Sequence, residues 1–138
     1  MDVMSDGDDK GRPFVGRIHS ADASGGVAIP LFEAGSSDQY TLKENEYLVV
    51  SEIHIVSAAG GDTYVNTGSG AATTNSSIVF RGTLAANALV FNGEYEPCWQ
   101  SPDLGGPLYL TAPAGVVDVV VLGTIHVASD GKNLSWKA

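Results

Sequence analysis

The chain has 138 residues, 43% of them hydrophobic and 17% charged, with a formal net charge of −9. That length fits one domain and buries roughly 68% of its extended surface, enough for a real core. Seven scattered Lys and Arg residues supply no phosphate-binding footprint, which argues against nucleic acid as a partner. Cys98 is the only cysteine, so an intrachain disulfide and a cysteine-pair metal site are excluded, and a buried or half-buried free thiol is expected. No stretch reaches the roughly 18 consecutive apolar residues of a membrane span. The acidic start also lacks a basic-then-apolar leader, so no membrane partner is expected and the chain is expected to fold in the cytoplasm where it is made. Many Val, Thr, Ser and Gly residues and few Lys and Glu point to short strands joined by turns.

In chain order, Met1 to Lys10 carries four aspartates and no apolar period, and reads as a tail or arm. Asp6-Gly7-Asp8-Asp9 lacks the remaining ligands of a calcium loop. The segment from Arg12 to Ile18 interleaves arginines with apolar residues. It fits either a first edge strand, with Pro13 at the edge, or an arm that docks on another protein through Arg12, Pro13, Phe14, Val15, Arg17 and Ile18. The expected division is therefore residues 1–20 as arm or tail, possibly ending in an edge strand, and residues 21–138 as a single β-sandwich.

Val27 to Glu33 and Gln39 to Leu42 read as short strands. Tyr47 to Ala58 is a major strand with apolar residues in both alternating sets: Val49, Ile53 and Ile55 in one, Leu48, Val50 and Val56 in the other. Gly60-Gly61-Asp62 then resembles a hairpin turn. Thr67 to Asn75 reads as a long polar loop. Ile78, Phe80 and Leu84 are expected inward, with Val79, Arg81 and Thr83 outward. Asn92-Gly93 is a hairpin dipeptide after Ala88 to Phe91, predicting an antiparallel return through Glu94 to Trp99.

Pro107 to Ser129 reads as a closing hairpin. Val117, Val119, Val121, Ile125 and Val127 form an almost pure core face, while Val116, Asp118, Val120, Leu122, Thr124 and His126 form a mixed one. A strand apolar on both faces expects cover on two sides. Val116, Val120, Leu122, Leu48 and Val50 are accordingly the expected oligomer interface. Turn signals every 8 to 12 residues and the absence of a helical period predict an all-β jelly-roll or Greek-key sandwich with an extended N-terminal arm.

Site chemistry is sparse. His19, His54 and His126 stand far apart with no His-x-His spacing, so no metal and no cofactor are expected. Nucleophile elbows and phosphate loops are absent, and no catalytic residue is expected. Glu94 and Glu96, near Tyr95 and Trp99, have the residue types of a sugar site.

The segment Gly93 to Cys98, the turn Pro107 to Gly115 and the Val-rich strand Val116 to Val127 resemble the jelly-roll decoration or cement proteins of tailed-bacteriophage heads. The likeness covers about a third of the chain. It implies a non-enzymatic homotrimer on the outer capsid surface of a virion, with the major capsid protein as partner and an arm laid over the shell. Two other functions fit the residues. One is a carbohydrate- or receptor-binding module of a phage tail or adhesin, using Tyr95, Trp99 and Tyr109. The other is a cupin-like enzyme.

Overall fold

The computed structural model describes residues 11–67, 78–93, 99–101 and 104–128. It is all-β, with two antiparallel sheets consistent with a β-sandwich, and no helix occurs among the described residues. The strands are β1 (Arg12–Ser20), β2 (Val27–Ala28), β3 (Leu31–Glu33), β4 (Gln39–Tyr40), β5 (Glu46–Ser57), β6 (Gly61–Thr67), β7 (Ile78–Leu84), β8 (Leu89–Gly93), β9 (Trp99–Gln100), β10 (Leu108–Thr111) and β11 (Val117–Val127). The larger sheet runs β4-β3-β1-β11-β5-β8, with β9 also on β5, and the smaller runs β2-β10-β6-β7.

One core joins the inner faces of both sheets. The larger contributes Phe14, Leu48, Val50, Ile53, Ile55, Val117, Val119, Val121 and Ile125, and the smaller contributes Val65, Val79, Leu84, Leu108 and Leu110. Val117, Val119, Val121 and Ile125 are at most 1% exposed, as the alternation of β11 predicts, whereas Val127 at the strand's end is 49% exposed. Each fully buried aliphatic or aromatic side chain stabilises the fold by about 1.5–3 kcal/mol.

Arg12 to Ser20 is an interior strand, paired with β11 along its whole length and with β3 on its other side. It is therefore neither an edge strand nor an arm, and the domain begins before residue 21. Phe14, 1% exposed, belongs to the core of this domain. Phe14→Ala is expected to cost about 3–5 kcal/mol in chemical denaturation; an arm residue would leave the midpoint unmoved.

Proline and turn residues move the chain between sheets where a single strand or simple hairpins were expected. Ile29 and Pro30 split Val27 to Glu33 into β2 in the small sheet and β3 in the large one. Pro107 to Ser129 is not a hairpin, because β10 lies in the small sheet and β11 in the large one. The link between them contains Pro113, which has no N–H for a ladder, and Gly115 at φ +135°. Gly60 and Gly61 likewise carry the chain from β5 to β6 in the other sheet, both at positive φ. Asn92 and Gly93 extend β8 along β5, opposite Ile53 and Glu52, and β9 pairs with β5 further along rather than with β8.

A bulge in β5 resolves its two apolar faces. Leu122 pairs with Glu52 but Gly123 pairs with Val50, so Ser51 has no ladder partner and the side-chain alternation changes phase there. Leu48 and Val50 therefore point the same way as Ile53 and Ile55, and all four are fully buried. The bulged Ser51 hydroxyl donates to the Leu122 carbonyl at 3.1 Å.

Candidate functional site

The outward face of the large sheet holds the surplus apolar surface. Val116 is 38% exposed, Val120 36% and Leu89 64%, while Val15, Phe32, Val56 and Leu122 are half-buried. Three of the expected interface residues, Val116, Val120 and Leu122, thus share one face. The other two, Leu48 and Val50, lie in the core and reach no partner, because the Ser51 bulge turns them inward. Leu48→Ala is expected to lower stability by about 2–5 kcal/mol and to leave the sedimentation coefficient of the folded protein unchanged.

Ladder register fixes the pattern of this face. On β1, β11 and β5, His19, Asp118 and Val56 lie side by side, then Arg17, Val120 and His54, then Val15, Leu122 and Glu52. Polar groups on it are tied locally: His19 Nδ1 sits 2.5 Å from Asp118 Oδ1, and His54 Nε2 3.2 Å from Glu52 Oε1. The Arg17 guanidinium lies over the Phe32 ring at 3.8 Å, a cation–π contact that orders both side chains. Between them a groove of about 390 Å³ is lined by Arg17, Ile18, His19, Phe32, Asp118, Val119 and Val120.

The residues expected to form an arm separate by role. Phe14 is core, and Ile18 packs against it half-buried. Val15 and Arg17 belong to the outward face, and Pro13 is exposed at the strand's start. Arg12 anchors a polar cluster at the end of the sheet. Its Nη1 donates to Glu33 Oε2 at 2.7 Å, and its Nη2 donates to Glu46 Oε2 at 2.5 Å and to the Tyr40 hydroxyl at 3.3 Å. Tyr40 Oη donates to Glu46 Oε1 at 2.6 Å, and the Lys43 N–H donates to the same oxygen at 2.8 Å. Burial pushes the Glu46 carboxyl up, but the bonds from Tyr40 and Lys43 and the Arg12 charge outweigh it, so it sits below its ordinary 4.5. Burial, then the Glu46 carboxylate, raises the Tyr40 phenol. This cluster fastens β1, β3, β4 and β5 together.

The histidines do not converge. His126 stacks on Tyr47 with centroids 5.4 Å apart and meets Thr124 Oγ1 at 2.9 Å, at the far end of β11 from His19. Among the described residues no three His, Cys, Asp or Glu side chains come together.

Of the aromatics expected to stack on sugar, Trp99 and Tyr109 lie on different sheets. Tyr109 is half-buried on β10 of the small sheet, and Trp99 lies on β9 of the large one, where only its backbone is described. Tyr95, Cys98, Glu94, Glu96, most of the Thr67 to Asn75 loop and the acidic tail fall outside the described residues. Comparison with known protein families, with curated proteins and with solved structures finds no match to the chain.

Proposed function

We propose that the protein is a non-enzymatic structural protein with a jelly-roll fold, which decorates the outside of a phage capsid and stabilises it. The observation that carries this reading is the nesting of the strand pairs. β1 pairs with β11, β2 with β10, β5 with β8 and β6 with β7. First strand with last, then inward pair by pair, is one long antiparallel strip folded over into two sheets, which is how a jelly roll is wound. β3 and β4 add to the β1 edge outside this scheme. The winding supports a self-contained β-sandwich of the kind the resemblance implies for a protein that sits on a shell surface.

Cementing works by area and avidity: a protein that bridges neighbouring shell subunits buries contacts that are lost only when the shell separates. Incubating the purified protein with heads assembled without it tests this. Saturable co-sedimentation and a higher temperature of head disruption are expected. Absence of co-sedimentation with heads of the phage that encodes the protein, at concentrations well above micromolar, would overturn the reading.

A further inference from the structure

The outward face of the large sheet is laid out to meet a second copy of itself. By register, the nine positions on β1, β11 and β5 form a three-by-three block centred on Val120. One diagonal of that block is Val15, Val120 and Val56. The charged and polar groups fall on either side of it: His19 stands at the corner opposite Glu52, and Asp118 stands across from His54.

With strands about 4.8 Å apart and same-face residues about 6.6 Å apart along them, reflection across the valine diagonal carries each off-diagonal position to within about 2.5–5 Å of its opposite number. We propose that two copies pair face to face about a two-fold axis along that diagonal. Each valine then packs on its own counterpart. His19 of each copy approaches Glu52 of the other, and Asp118 approaches His54, so the His19–Asp118 and His54–Glu52 pairs within each copy are joined to one another across the interface. Arg17, held on Phe32 at 3.8 Å, changes places with Leu122. The ridge of Val120 and Leu122 from the second copy thus lies over the groove of about 390 Å³ between Phe32, Arg17 and Asp118. Strands of the two copies cross at roughly 70–90°, near the orthogonal class of sheet packing.

Charge favours this occupant over a foreign one. The chain carries a formal charge of −9 with histidines neutral, so copies repel over most of their surface, but this block sets Arg17 against Asp118 and Glu52 and offers His19 and His54 as hydrogen-bonding partners for those carboxylates. A basic partner would be drawn elsewhere. The block covers only about 300 Å² of sheet plane, short of the roughly 800 Å² per partner of a standard interface. Phe32, Leu89 and Val116 extend it, and a reversible pair of micromolar strength is expected.

Sedimentation across about 1–200 µM tests the pairing in that range. The expected result is a monomer–dimer equilibrium for the full chain and a monomer throughout for Val120→Glu, with both folded by circular dichroism. Glu52→Lys is expected to weaken pairing about tenfold, and adding His19→Glu to restore it. Within one copy these two positions are roughly 16 Å apart by strand spacing, so restoration reports a contact between copies. A monomer at the highest concentration, a trimer, or a dimer indifferent to Val120→Glu would overturn the pairing while leaving the capsid reading to its own test.

Discussion

Gly123→Ala is expected to destabilise the protein by about 3 kcal/mol or more. A Cβ at this position falls 2.0 Å from the Val49 carbonyl oxygen, 3.0 Å from the Val49 carbonyl carbon and 2.9 Å from Phe14 Cε1. The carbonyl belongs to the backbone of the neighbouring strand, brought over Gly123 by the bulge at Ser51. It cannot move aside without breaking the β5–β11 ladder, the longest among the described residues with 11 paired positions. A flexible side chain would yield; a strand in mid-sheet does not. The measurement is the urea midpoint at constant slope. Gly25→Ala serves as the control, because nothing lies within 4 Å of a Cβ there, and a change within about 0.5 kcal/mol is expected. A Gly123→Ala midpoint equal to that of the wild type would place the bulge elsewhere.

Arg12→Ala is expected to cost roughly 2 kcal/mol at neutral pH, more than Glu46→Ala at the same pair. The asymmetry comes from exposure. The Arg12 side chain is 42% exposed and returns to water if Glu46 is removed, whereas the Glu46 side chain, 3% exposed, is left as a buried carboxylate if Arg12 is removed. The exposure of Arg12 also keeps the figure below the 3–5 kcal/mol of a fully buried pair.

The pH dependence follows from the sign of the shift. Glu46 is held below its ordinary 4.5 in the folded protein, so its contribution is fully present above that value and is lost as pH falls through the lower folded one. Without Arg12, burial acts with less opposition and the folded value rises. The stability difference between Arg12→Ala and wild type is therefore largest at neutral pH and shrinks once both carboxyls are protonated. Denaturation at neutral pH and at about pH 3 measures it; a difference that stays constant would mean that Glu46 is not the group left uncompensated.

Local patterning served well where alternation ran unbroken. β11 buries Val117, Val119, Val121 and Ile125 as its period-two pattern requires, and Val116, Val120 and Leu122 face outward. It misled wherever an extra residue entered a strand. In β5 the bulge at Ser51 turned an inward run into an apparent two-faced one, which sent Leu48 and Val50 to the wrong side. In β7 the pairing shifts between Val65 and Asn66, and Val79, expected outward, is 8% exposed. No residue type announces such a bulge, since it is set by how the partner strand closes the ladder. The Arg12 cluster was equally hidden: its members Arg12, Glu33, Tyr40 and Glu46 come from four strands, and sequence spacing carries no trace of their meeting.

By itself the sequence determined that this is an all-β protein, because strand period and turn residues are local properties and each is written within about ten residues. It also fixed the core face of β11 and the presence of surplus apolar surface. Only the tertiary structure decided that Arg12 to Ser20 is an interior strand, that β10 and β11 part into different sheets, and that the surplus valines form a diagonal with polar groups on either side. Those outcomes depend on which strands become neighbours and in what register. A one-residue shift in register exchanges the two faces of a strand, and the register is set by pairings between residues as far apart as Arg12 and Ile125.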